Sequence, residues 1–237
     1  MPQVSLSRIQ LPKIGTITSI NDDGSYQQGL IPGLGGPFET AAEFFKAWSA
    51  KVNFGSSPER IKMAAGEYAD ELMESASLFK TLINDFAENL SVRNNGPFPL
   101  CHGDFGHNNI IFDDNYQLLG AIDWEFAFAG PWEISCEFPL TLSTVPPAMG
   151  PPWNYDERGL PKDADGKQRL LDQEQYIAIV REKEQEQGLV DGYNLSSALQ
   201  DSKRQHLATA MSLYQTGKPG WFSKVLDPFV DDKGCAK

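Results

Sequence analysis

The chain has 237 residues, 41% of them hydrophobic and 22% charged, enough apolar material for one substantial core or two small ones and too much for a disordered chain. Its formal net charge of -12 argues against a nucleic-acid binder, because phosphate contacts need clustered Lys and Arg, and no such cluster occurs. An acidic field suits metal ions or cationic small molecules, while acidity as a solubility device explains the charge equally well.

In chain order, the opening "PQVSLSRIQLPKIG" lacks the apolar run of a signal peptide. No later window reaches the roughly 18 apolar residues of a membrane span, so no membrane partner is expected. Residues 1–37 are rich in Gly, Pro, Asn and Asp, and "IGTITSI" before the turn "NDDGS" predicts a hairpin packed on something else. "PFETAAEFFKAWSAKV" sets Phe38, Ala42, Phe45, Trp48 and Val52 at helical spacing with Glu residues early, which predicts an amphipathic helix. From Ser57, a good N-cap followed by Pro58, helix formers run to Leu90. This predicts one long helix, or two with a break near Ser75–Ser77.

The pattern then changes. Short Ile, Leu and Phe runs in "FPLCHGD" and "NNIIFDDNYQLLGAIDW", with "DDNY" as a turn, predict two short strands joined as a hairpin. The polar clusters "HGDFGHNN" and "IDWE" should then meet at one end of a small sheet. Residues 143–165 read as a Pro-rich surface insertion, and helices are predicted over 172–187 and 195–216. The fold class is therefore α+β and mostly helical. Three cysteines, Cys101, Cys136 and Cys235, fit neither a disulfide framework nor a zinc pattern, so a reducing, cytoplasmic setting is expected.

The residues that point to chemistry are His102, Asp104 and Asn109, in the order His-x-Asp-x-x-x-x-Asn, with Asp123 on the following strand. That is the order of a phosphoryl-transfer site, where one Asp lies beside the attacking hydroxyl and an Asn and a second Asp hold magnesium on the nucleotide phosphates. Magnesium takes few protein ligands and wants hard oxygens, which one amide and one carboxylate supply. A turn with no chemistry competes with this reading, since Asn, Gly and Asp favour turns for conformational reasons. Asp123 weakens that alternative, because a carboxylate after "LLGAI" is costly unless solvated, hydrogen-bonded or metal-bound.

"LCHGDFGHNNIIFDDNYQLLGAIDWEFAFAGP", residues 100–131, resembles the catalytic loop of the aminoglycoside phosphotransferase and choline kinase family, whose fold is similar to that of protein kinases. The resemblance implies a helical C-terminal lobe over 38–237, with the catalytic loop on a small β-hairpin and residues 1–37 as a hinge-side segment. It implies Asp104 and His102 as the catalytic pair, Asp104 orienting the hydroxyl and His102 bracing the loop from beneath. Asn109 and Asp123 would be the magnesium and nucleotide residues, with Mg2+ and ATP as cofactors and a small-molecule hydroxyl, cationic or not, as substrate. Glu125 and Glu133 read as a solvated rim, with contact to a cationic substrate as the alternative. A metal site of Cys101, His102 and His107 matches no familiar spacing, and Trp124 and Trp132 read as core or rim packing.

The sequence from Met1 to Gly96 offers no G-x-G-x-x-G after a strand and no strand lysine. "PGLGGP" reads as an ordinary turn, and Lys13 as a surface lysine. The expectation is a chain that begins near the hinge and lacks the nucleotide lobe. Such a chain would be a piece of a small-molecule kinase, a half-enzyme completed by another chain through an exposed lobe interface, or a non-catalytic, pseudokinase-type binding module.

Overall fold

The computed structural model describes residues 2–189 and 192–234; Cys235 lies outside them. A short helix α1 (Pro2–Ser7), not foreseen, buries Val4 and leads into β1 (Gln10–Leu11). The expected hairpin follows as β2 (Thr16–Ile20) and β3 (Tyr26–Gly29), closed by an Asp23 side chain that accepts from the Ser25 N–H at 2.9 Å. The "PGLGGP" stretch folds as a tight turn between Ile31 and Gly35, and Lys13 pairs at the surface with Glu39.

Helix α2 (Ala41–Lys51) starts at Thr40 through a capping box. The Thr40 hydroxyl accepts from the Glu43 N–H, and the Glu43 carboxylate accepts from the Thr40 N–H. Helices α3 (Pro58–Ala65) and α4 (Ala69–Leu90) are two elements, but the break is at Gly66, not near Ser75–Ser77. Gly66 has φ +55, a conformation that glycine adopts without a Cβ clash. Ser75 stays helical because its buried hydroxyl is bonded to Ser223 Oγ at 2.8 Å. On α4 the buried residues Leu72, Ala76, Phe79, Ile83, Ala87 and Leu90 recur at three- and four-residue steps; from Ala76 onward this stripe shares a core with Phe45 and Trp48 of α2, while Leu72 packs in a smaller cluster with Ile61 and Trp221.

Strand β4 (Phe98–Cys101) is the centre of a three-stranded antiparallel sheet, between β1 and β7 (Phe128–Ala129). Strands β5 (Ile110–Phe112) and β6 (Leu118–Ala121) form the predicted hairpin as a separate sheet. The Asp113 carboxylate accepts from the Asn115 and Gln117 N–H groups to close the turn. The two polar clusters therefore meet at one end of this hairpin sheet, the first leading into β5 and the second leaving β6, where the Ile122 N–H bonds the Asn109 carbonyl. The loop after β4 crosses from the three-stranded sheet to the hairpin, and the segment after β6 crosses back to β7.

Helix α5 (Trp132–Ser135) follows, and then the Pro-rich segment in short 3-10 turns, pinned by buried Met149 in the main core. Helix α6 (Ala164–Glu186) begins well before the predicted residue 172, because the Asp163 carboxylate caps it by accepting from the Gly166 N–H at 2.7 Å. The predicted helix over 195–216 is split at Asp201 into α7 (Leu195–Gln200) and α8 (Ser202–Gln215), with Asp201 capping the second. A helix not foreseen, α9 (Asp227–Gly234), closes the described chain and puts Phe229 into the core. None of the described helices is long and apolar enough to cross a membrane.

Candidate active site

The loop leaves β4 at His102, which is 2% exposed. Its Nε2 lies 2.9 Å from the carbonyl oxygen of Ile122, so Nε2 carries the proton and donates. The indole of Trp124 lies across the imidazole with ring centroids 4.5 Å apart and is itself held by Nε1–H donation to the Ala121 carbonyl at 2.8 Å. Nδ1 of His102 is buried with no protein partner. The next residue must be glycine: Gly103 has φ +82, and a Cβ there would lie 2.4 Å from the Phe126 carbonyl oxygen.

Beyond Gly103, Asp104 is half-buried and Asn109 is 5% exposed. The Asn109 amide Nδ2 donates to the Asp104 backbone carbonyl at 2.9 Å and to its carboxylate Oδ2 at 3.1 Å. Asn109 Oδ1 accepts from Asn108 Nδ2 at 3.2 Å, and the loop is closed by the Asn109 N–H bonded to the Gly106 carbonyl at 3.1 Å. The amide thus turns its nitrogen toward Asp104 and keeps an oxygen for an electrophile.

The second arm is tied to the first through one residue. Ile122 donates its N–H to the Asn109 carbonyl at 2.9 Å and accepts at its own carbonyl from His102. Asp123 follows at φ +67, a left-handed conformation that is uncommon for a residue with a Cβ and costs about 1–2 kcal/mol. With the preceding peptide clamped on both sides and Trp124 bonded behind it, that backbone is over-determined, and the Asp123 side chain is exposed. Asp104 and Asn109 are in direct contact, and Ile122, the residue before Asp123, is bonded to the Asn109 backbone.

The other sequence candidates separate. Glu125 is exposed, as a rim residue should be. Glu133 is not a rim residue: it is 1% exposed, accepts from the Val92 N–H at 2.9 Å and has the Arg204 guanidinium 3.6 Å away. It staples α5 to the end of α4 and to α8, and burial pushes its carboxyl pKa up. Trp132 is core, with Nε1 donating to the Pro97 carbonyl at 3.0 Å. His107 is exposed while Cys101 and His102 face inward, and no three His, Cys, Asp or Glu among the described residues converge on a metal position. Burial pushes the Cys101 thiol up to about 12, which leaves it a poor ligand and nucleophile.

Sequence reasoning missed the role of Trp124 as the plate under His102, and it missed Glu137. Glu137 is half-buried behind the loop, and burial raises its carboxyl pKa to about 8. Its one sequence signal was a carboxylate set between Cys136 and Phe138.

Residues 40–134 match the model of the phosphotransferase enzyme family (APH), a span that runs from the α2 cap to α5 and includes His102, Asp104, Asn109 and Asp123. Comparison with curated proteins and with solved structures finds no match.

Proposed function

On the premise that residues 40–134 are a phosphotransferase-family segment, we propose that the chain is the helical C-terminal lobe of an aminoglycoside phosphotransferase-like kinase, which passes the terminal phosphoryl group of ATP to a small-molecule hydroxyl. Phosphoryl transfer asks little covalent chemistry of a protein. It asks for alignment of the attacking oxygen and for neutralisation of charge on the phosphates.

Asp104 is the residue for alignment. A carboxylate is too weak a base to ionise an alcohol outright, so its work is to accept the hydroxyl hydrogen bond, aim the oxygen and take the proton late in transfer. The Asn109 amide bonded to Asp104 Oδ2 at 3.1 Å fixes the carboxylate for this task and leaves its other oxygen for the alcohol. Asn109 Oδ1 and the exposed Asp123 carboxylate are hard oxygen donors of the kind Mg2+ accepts, and they would hold it together with the nucleotide phosphates. When bound, the cation supplies charge neutralisation on the transferred group. His102 does not touch the reactants; it positions Asp123 through the Ile122 carbonyl.

The observation that carries this reading is the two-sided clamp on Ile122, which ties the Asp123 strand to the loop that bears Asp104 and Asn109. The test is transfer of labelled phosphate from ATP in the presence of Mg2+ to a panel of alcohols. Transfer by the wild type that Asp104→Ala abolishes supports the proposal. Nucleotide binding without transfer, unchanged in Asp104→Ala, overturns it in favour of a non-catalytic binding module.

A further inference from the structure

Among the described residues, three cavities fall in the size range of small-molecule sites, roughly 300–1,000 Å³. One, about 400 Å³, lies between α6, α7 and α8 and is bordered by neither arm of the candidate active site. The largest of the three, about 960 Å³, lies under the Pro-rich segment between α6 and α8 and is lined by Arg158, Arg169, Lys218, Asp163 and Asp165. Neither arm of the candidate active site borders it. The third, about 660 Å³, is bordered by both arms: by Gly103, which precedes Asp104, and by Glu125, which follows Asp123 on the same loop. Its walls include Leu34 from the "PGLGGP" turn, Phe44 and Trp48 from α2, Phe126 and Phe128 beyond the Asp123 loop, and Met211 from α8.

The lining decides what chemistry can enter. Among the described residues it contains no Lys, Arg or His, so an already phosphorylated or carboxylated acceptor would leave water for a wall that offers its charge nothing. Its only ionisable carboxylic acids are Glu125 and Glu137. Glu125 stands exposed at the rim, and Glu137, with its carboxyl raised to about 8 by burial, is mostly uncharged at neutral pH. A polycation would therefore meet a single ionised partner at the mouth and bare aromatic surface inside, and its desolvation would go uncompensated. Transfer of an apolar ring to the same walls is favourable by about 25 cal/mol per Å² of surface removed from water.

We propose that this cavity receives the acceptor, and that the acceptor is an uncharged alcohol with a ring-sized apolar body whose hydroxyl emerges beside Gly103 toward Asp104. The inference rests on the reading of Asp104 as the hydroxyl-orienting residue, but the cavity and its occupant are testable without any phosphoryl transfer.

The experiment titrates the chain, with no nucleotide or metal, with naphthaleneethanol, with the polycation kanamycin and with glucose 6-phosphate. Gln215→Trp, at an exposed α8 position on the mouth of this cavity, is the blocking variant. Asp165→Trp, on the cavity of about 960 Å³, is its control. The expected result is that naphthaleneethanol binds, that its Kd rises at least tenfold in Gln215→Trp and stays level in Asp165→Trp, and that the two charged probes bind no better than weakly. Intermolecular NOEs from the naphthyl protons to the Trp48 indole place the ligand independently of any variant. Tighter binding of kanamycin, no binding of the neutral alcohol, or binding blocked only by Asp165→Trp would overturn the proposal. A chain that binds the alcohol as expected yet transfers no phosphate keeps the cavity assignment and loses the transferase reading.

Discussion

Asp123 and Glu133 are carboxylates from the same short stretch, and the fold treats them in opposite ways. Asp123 is exposed on a strained left-handed backbone that the surrounding bonds enforce, whereas Glu133 is sealed in the core, where its carboxylate holds the end of α4 and faces Arg204. A left-handed residue with a Cβ is kept where its surroundings hold it, and at Asp123 the bonds on either side of Ile122 leave the carboxylate facing solvent, free for the ligand role proposed for it. The burial of Glu133 marks the reverse: a charge spent on joining helices. Residue type alone does not separate the two; backbone angle and burial do.

If that contrast is right, the largest effect belongs to the exposed arm and its partner loop. Asp104→Ala and Asp123→Ala should each lower phosphoryl transfer by about 10²- to 10⁴-fold, the range of a positioned proton-handling or charge-stabilising group, with the melting temperature nearly unchanged. Steady-state rates and a thermal melt on the same preparation check both halves. A large loss of stability in Asp123→Ala would show that the side chain is structural after all.

Glu133→Ala should do the opposite. Removing it leaves the Val92 N–H and one face of Arg204 without a buried acceptor, and urea unfolding should show a loss of about 3 kcal/mol. Gly103→Ala sharpens the comparison at the joint between the two regions. Its Cβ would meet the Phe126 carbonyl and its φ would be unfavourable, so a loss of about 1–3 kcal/mol is expected together with weaker metal binding.

The last effect is a pH dependence from Glu137, read as a difference between two pH values. Its carboxyl has an ordinary value of 4.5 and a folded value of about 8, so below 4.5 it is protonated in both the folded and unfolded chain. As pH rises toward 8 the unfolded chain ionises and the folded one resists. Its stabilising contribution is thus present below 4.5 and lost as pH rises through 8. Glu137→Gln should melt level with wild type near pH 4 and above it near pH 9; equal melts at both would show that the carboxyl is solvated.

How far the sequence carried these conclusions depended on whether the signal was local. The capping box at Thr40, the Ser57 cap, the "DDNY" turn and the period of α4 are short-range rules, and those elements lie near where spacing puts them. The break at Gly66 was signalled by glycine and passed over for serines, whose helix-weakening tendency is cancelled here by the Ser75 bond to Ser223 across the chain. Asp163 and Asp201 as caps were also present in the text, but a proline-rich run and a continuous helical pattern concealed them.

At the site, the contact of Asn109 with Asp104 and the backbone link from Asn109 to Ile122 were readable because a tight loop and a hairpin set them by topology alone. What was not readable needed tertiary contacts. These are the Trp124 plate, the burial of Glu133 and the separation of β4 from the hairpin, each set by residues distant in sequence.

The central claim is that Asn109 and Asp123 form one cation-binding unit beside Asp104, and Mn2+ titration followed by electron paramagnetic resonance, with and without ATP, tests it most directly. The account predicts that the wild type binds Mn2+ in the presence of ATP, and that Asp123→Ala and Asn109→Ala each weaken binding at least tenfold while both variants stay folded. Equal Mn2+ affinity in wild type and both variants, or no binding at all by the folded wild type with ATP present, would contradict it.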